Sequence, residues 1–125
     1  TLDFYRDRAN NGLAARVVNA AGIDTVALPT VRLDSIFSEE NSLENLILDV
    51  EGHEPQVIRG ASSTIKSQRP SMAICIYHNP HDFVEIVEMI SKLDLGYKFE
   101  ILHHSPVTSI ETVLYCIPPE DLSHD

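Results

Sequence analysis

The stretch Leu46-Ile47-Leu48-Asp49-Val50-Glu51-Gly52-His53-Glu54-Pro55 decides how the chain is read. Leu46 to Leu48 is an unbroken apolar run, the pattern of a central parallel strand covered on both faces. The polarity changes abruptly at Asp49, and Glu51 and Glu54 follow. Gly52 frees the backbone to turn. Pro55 stands where a first helical residue would, its fixed φ suited to starting a helix. The stretch therefore reads as a strand that ends in a cluster of acids and turns into a helix. Open α/β sheets bind ligands at the carboxyl ends of their strands, and these acids lie at such an end.

Downstream, Val57, Ile58, Ala61 and Ile65 form the apolar stripe of a helix from about Pro55, which Gly60 is expected to interrupt. Arg69-Pro70 closes it. Met72 to Tyr77 is a second apolar strand, ending in His78 and Asn79. Asn79-Pro80-His81-Asp82 predicts a helix start, with Asn79 as the cap. Phe83, Ile86, Val87, Ile90 and Leu93 give that helix a core-facing stripe, stopped by Gly96. Phe99 to Leu102 is a third strand, running into His103-His104. Thr112 to Ile117 is a fourth, stopped by Pro118-Pro119. The order β-α-β-α-β-β implies a parallel sheet with helical crossovers, its closing pair antiparallel.

Upstream, the signals are weaker. Residues 1–25 read as an irregular lead-in: a strand fragment at Thr1–Tyr5, a turn at Asn11-Gly12, and either a helix or a loop with one helical turn over Leu13–Ala21. Thr25 to Leu33 is β-rich but contains Pro29, so an edge or interrupted strand is expected. Asp34 caps a short turn through Phe37, and Ser38 to Asn45 is an acidic loop. Residues 119–125 form a polar tail, and the whole is one domain, 1–125.

The 125 residues suffice for one modest core, and 43% of them are apolar. A net charge of −10 argues against nucleic acid and anionic membranes as partners, since both need a basic face. No run is long and apolar enough to span a bilayer, and no signal peptide is visible. Cys75 and Cys116 sit inside apolar strands, where free buried thiols and a cytoplasmic setting are expected.

The arrangement, and the wording of its strand ends, resembles the FkbM family of S-adenosylmethionine-dependent methyltransferases. The matching pieces are Val31-Arg32-Leu33-Asp34, Asp49-Val50-Glu51-Gly52-His53-Glu54, and Ile58-Arg59-Gly60-Ala61. Arg69-Pro70 with Ile74-Cys75-Ile76-Tyr77-His78, and Glu111-Thr112-Val113-Leu114-Tyr115, follow in the same order. The resemblance spans roughly residues 26 to 118. It implies an α/β, Rossmann-like methyltransferase sheet whose last strand is antiparallel, with S-adenosyl-L-methionine as cofactor. It also implies a reaction on a hydroxyl of a small molecule or sugar. The chain departs from the family in one large respect. Such enzymes open with a strand and a glycine-rich loop, and no G-x-G occurs among Gly12, Gly22, Gly52, Gly60 and Gly96. The chain thus looks like the C-terminal half of the fold, either a fragment or a short relative. A homo-oligomer or a missing N-terminal half would complete it.

Asp49 and Glu51 stand two apart at a strand end. On an extended backbone both project to one side, and two carboxylates held together suit a general base for a hydroxyl substrate. The plain alternative is that Asp49 caps the next helix while Glu51 and Glu54 favour its N-terminus. His78 ends the next strand; if the two strands are neighbours, their carboxyl ends lie roughly 5 Å apart, and His78 could face these acids as a base, an orienting group or a metal ligand. Asp49, Glu51 and His78 are therefore the catalytic candidates. By resemblance, Asp49 also contacts the methionine end of the cofactor. Glu54, His103, His104 and Glu111 are candidates for binding the acceptor. Joined to Asp49, Glu51 and His78, the two later histidines could form a mixed oxygen and nitrogen metal site. No spacing matches a metal signature, and no metal is assigned. His53 and His81 read as surface residues at helix starts. Two other functions stay open: a shortened, non-catalytic module that acts through an exposed sheet edge, and a metal-binding or hydrolytic domain built on the Asp/Glu/His corner.

Overall fold

The computed structural model describes residues 2–5, 25–37, 41–108 and 110–124. The turn expected at Asn11-Gly12 and the helix or loop expected over Leu13–Ala21 lie outside the described residues. The chain divides into two compact units, Thr1–Val31 and Arg32–Asp125. In the first, β1 (Leu2–Tyr5) pairs antiparallel with β2 (Thr25–Leu28). β2 stops just before Pro29, which has no N–H to continue a ladder.

The second unit carries the site. Its strands are β3 (Asn45–Leu48), β4 (Ser71–Cys75), β5 (Lys98–His103) and β6 (Thr112–Ile117), in the spatial order β3-β4-β6-β5. β3 and β4 are parallel, whereas β6 runs antiparallel to both β4 and β5. The sequence predicted the antiparallel closing pair. It did not predict that the reversed strand lies between β4 and β5. Two short helices, α1 (Glu54–Gly60) and α2 (Ser62–Gln68), connect β3 to β4, and α3 (Asp82–Ser91) connects β4 to β5. The break between α1 and α2 falls at Ala61, beside the glycine expected to interrupt the helix.

All three helices pack on one face of the sheet. Strand register brings Leu46, Leu48, Met72, Ile74, Leu114 and Cys116 to that face, where they meet Ile58, Ala61, Ile65, Ile86 and Ile90. Each fully buried isoleucine or leucine there stabilises the unit by roughly 1.5–3 kcal/mol. Both cysteines are free, Cys116 in this core and Cys75 half-buried on the opposite face.

That opposite face corrects the opening expectation. β3 is an edge strand of the four described, and Ile47 is 78% exposed between buried Leu46 and Leu48. An apolar run predicts cover on both faces, but here only the helix face of this unit has it. α3 differs from expectation too. Ile86 and Ile90 are buried, but Phe83, in the first turn, is 50% exposed. The helix begins at Asp82 rather than after Asn79 and ends at Ser91, before Gly96. Its start is organised by Asp82, a buried carboxylate that accepts from the Asn79 backbone N–H at 3.0 Å and from the Asn79 Nδ2 at 3.1 Å. The capping direction is thus the reverse of the one expected.

Several of the quoted motifs turn out to be scaffolding. Asp34, in a 3-10 turn over Leu33–Ser35, does not cap its own turn. It accepts from the Thr64 backbone N–H at 2.9 Å and from Thr64 Oγ1 at 3.0 Å. It thereby caps α2, whose own N-cap residue, Ala61, has no side-chain acceptor. Arg69, in left-handed conformation after α2, donates to the Leu95 carbonyl at 2.8 Å and to both carboxylate oxygens of Glu120. This clamp anchors the 3-10 helix Pro119–His124, and Asp121 accepts from Ser71 Oγ beside it.

Candidate functional site

β3 and β4 run side by side in the same direction, so their carboxyl ends open at one corner of the sheet. The acids of the Asp49–Glu54 stretch and His78 meet there. The backbone does not stay extended after Leu48, as the sequence reading assumed. Glu51 is left-handed at φ 55° and Gly52 at φ 91°, which folds the chain tightly back into α1. The positive φ at position 52 favours a residue without a Cβ. An ideal Cβ there would stand 2.9 Å from Asn79 Nδ2, which also donates to the Gly52 carbonyl at 3.4 Å. This bridge between the two strand ends is a feature that sequence reasoning missed.

The turn places three carboxylates around one imidazole. His78 Nε2 lies 3.5 Å from Asp49 Oδ1 and 3.5 Å from Glu51 Oε2, and Nδ1 lies 3.0 Å from Glu54 Oε1. The last contact is close enough for an ion pair, but the ring is not angled to hydrogen-bond across it. Asp49 and Glu51 are open to solvent, His78 is mostly covered, and Glu54 is completely buried. Glu54 Oε1 also accepts from the Val50 backbone N–H at 3.0 Å, locking the turn that carries Asp49 and Glu51. Glu54 Oε2 has no hydrogen-bond partner. The sequence reading offered Glu54 as an acceptor-binding residue or a helix-start charge. Its depth, and its position behind His78, follow only from the turn.

Tyr77 forms a wall of the corner. Its ring tilts against His78 with centroids 4.2 Å apart, and its hydroxyl donates to Asp49 Oδ1 at 3.3 Å. Burial, with the Asp49 charge beside it, pushes the phenol up to about 12, so it stays protonated and keeps donating. Burial, again helped by Asp49, pushes the Cys75 thiol up to about 11, which removes it as a nucleophile at neutral pH.

His103 and His104 stand apart. β6 separates β5 from β4, which puts the end of β5 about 10 Å from that of β4. His103 there meets Thr112 Oγ1 at 2.9 Å, and His104 meets the Tyr115 hydroxyl at 3.0 Å. Glu111 is exposed, with its carbonyl accepting from the His104 N–H. The metal set that joined His103 and His104 to the acids is therefore not assembled. Among the described residues, the group able to converge on one ion is Asp49, Glu54 and His78. His53 is not the surface residue expected; it is half-buried, with its Nδ1 shielded from solvent and unpartnered. His81 is exposed, as expected.

Compared with known families, the chain matches the methyltransferase FkbM domain over residues 2–99. The chain belongs to the FkbM methyltransferase family. A crystal structure of the methyltransferase FkbM from Methylobacillus flagellatus KT superposes with a TM-score of 0.60 at 27% identity, over 68% of this chain. The match occupies 22% of that protein's chain, so this FkbM-family chain corresponds to a part of its relative. No curated protein gives a significant match. In FkbM-family terms, the Asp49–Glu54 and Tyr77-His78 motifs build the corner, whereas the Asp34 and Arg69 motifs brace the sheet away from it. No helix among the described residues is long and apolar enough to cross a membrane.

Proposed function

We propose that the chain carries the strand-end corner of an S-adenosylmethionine-dependent methyltransferase that methylates a hydroxyl of a small molecule or sugar. The observation that carries this reading is the ring of three carboxylates around His78, at the carboxyl ends of adjacent parallel strands in an FkbM-family chain.

The residues present fit such a cofactor in charge. Asp49 and Glu51 offer solvent-facing carboxylates, with side chains 57% and 48% exposed, to a ligand bearing a sulfonium and an ammonium. Asp49 is the residue that holds the methionine end. When bound, the cofactor supplies a methyl group activated by its positive sulfur. The chain's own residues do the rest. Tyr77 and the Asn79–Gly52 bridge fix the shape of the corner, and Glu54 holds the turn from behind. Asp49 or Glu51, with His78 between them, takes the hydroxyl proton as the acceptor oxygen becomes nucleophilic. Positioning does most of the catalysis in a reaction of this kind.

Titration calorimetry with S-adenosylhomocysteine tests the reading directly. Saturable binding by the chain, weakened at least tenfold by Asp49→Ala, is the expected result. Absence of binding by a folded chain would overturn the assignment of a cofactor site to these residues. If that chain also self-associated, it would point to a non-catalytic module instead.

A further inference from the structure

The corner holds more negative charge and more unpartnered donor atoms than a proton acceptor needs. Glu54 is 0% exposed, yet one of its two carboxylate oxygens, Oε2, has no hydrogen-bond partner. A buried carboxylate oxygen without a partner is unfavourable, and proteins satisfy such atoms with a donor, a proton or a cation. His78 Nδ1 is equally shielded. It sits 3.0 Å from the other Glu54 oxygen without the alignment of a hydrogen bond, so its contact is short but its lone pair or proton is not used there. Asp49 Oδ1 approaches the opposite nitrogen of the same ring. One donor atom from each of Asp49, Glu54 and His78 lies within 4.8 Å of the others.

We infer that Asp49, Glu54 and His78 form a binding site for a first-row divalent cation. Two carboxylates and one imidazole make a mixed oxygen and nitrogen donor set, which suits Mn²⁺ or Zn²⁺ better than the all-oxygen preference of Ca²⁺ or Mg²⁺. An ion takes one ring nitrogen, and Glu54 faces Nδ1 while Asp49 faces Nε2, so one carboxylate has to swing round the ring to complete the set. Exposed Asp49 can make that movement, while buried Glu54 and half-fixed His78 provide the rigid side. Glu51, on the solvent side of the imidazole, leaves the remaining coordination positions to water or to an acceptor hydroxyl. A hydroxyl bound to such an ion loses its proton more readily. The site rests on the same corner as the proposed methyl transfer but not on the cofactor, and it differs from the histidine-rich set that the sequence suggested.

The test uses the metal alone. Mn²⁺ is titrated into the purified chain after chelator treatment, and free Mn²⁺ is followed by electron paramagnetic resonance. One Mn²⁺ bound per chain is expected, displaced by Zn²⁺. His78→Ala and Asp49→Asn should each weaken it at least tenfold, while His103→Ala leaves it unchanged. Asp49 is exposed, so Asp49→Asn keeps the fold and separates loss of a ligand from loss of structure; circular dichroism checks this for both variants. No Mn²⁺ binding at millimolar concentration, or equal binding by Asp49→Asn and the unmodified chain, overturns the site. Cofactor calorimetry is a separate measurement, so either proposal can fail alone.

Discussion

Replacing Glu54 separates its two roles, as the acceptor that locks the Val50 turn and as the charge behind His78. Glu54→Ala leaves the Val50 N–H without its acceptor in a part-buried position. A hydrogen bond to a charged group is worth about 1.5–3 kcal/mol. Some of this is returned, because removing the side chain also removes the buried oxygen that has no partner. A net loss of roughly 2 kcal/mol is therefore expected for Glu54→Ala. Glu54→Gln keeps an amide oxygen at the same place and forfeits only the charge assistance, about 1 kcal/mol or less. For a unit of this size each kcal/mol moves the unfolding midpoint by about 4–8 °C. Thermal unfolding followed by far-ultraviolet circular dichroism, in chelator at neutral pH, should lower Tm by about 10 °C for Ala and by no more than about half that for Gln. Amide exchange at Val50 should accelerate in Glu54→Ala and stay slow in Glu54→Gln. If Glu54→Ala melts within about 2 °C of the unmodified chain, or Glu54→Gln falls as far, the Val50 bond is not what Glu54 contributes.

Three further predictions concern the frame and the walls of the corner. Burial opposes the charge of Asp34, but the hydrogen bonds from Thr64, Ser63 and Arg32 outweigh it and hold the carboxyl below its ordinary value. Its contribution is thus complete above the unfolded carboxylate pKa of about 3.9 and is lost as pH falls through the lower folded value. Asp34→Ala should destabilise by about 1–2 kcal/mol at neutral pH. Urea midpoints should fall less steeply below pH 4 in Asp34→Asn than in the unmodified chain; parallel curves would remove Asp34 from the acid response. Gly52→Ala forces a side chain into a positive-φ position and against Asn79. It should cost about 1–3 kcal/mol in denaturant unfolding, and an unchanged midpoint would mean that the Asn79 bridge is not built as described. Cys75, pushed from 9.0 to about 11, should react with iodoacetamide at pH 8 about 100-fold more slowly in the folded chain than in urea. Equal rates would show that the thiol is not buried beside Asp49.

What the sequence determined by itself was the set of elements and the wording of their ends. The apolar runs at Leu46–Leu48 and Met72–Tyr77 announced two strands, because such runs are the signature of buried strands; their adjacency came from the pairing of β3 with β4. The abrupt change at Asp49 marked where β3 stops, whereas β4 stops at Cys75, three residues before His78. Gly60 beside Ala61 announced the break between α1 and α2. Family membership was legible for the same reason, since it resides in short motifs at strand and helix ends. Tertiary structure alone decided which of those residues act together. An apolar run reports average burial and not which face is covered, so Ile47 was read as buried although one side of β3 is bare. Nor does order along the chain give order across a sheet. β6 inserts between β4 and β5, and that insertion separates His103 and His104 from the acids. A left-handed turn at Glu51 and Gly52, invisible to periodicity, swings Glu54 beneath His78 and makes a buried carboxylate from what reads as a helix-start charge. Motifs fix local chemistry through short-range sterics, whereas distance between motifs is set by strand pairing and by turns that only the folded chain selects.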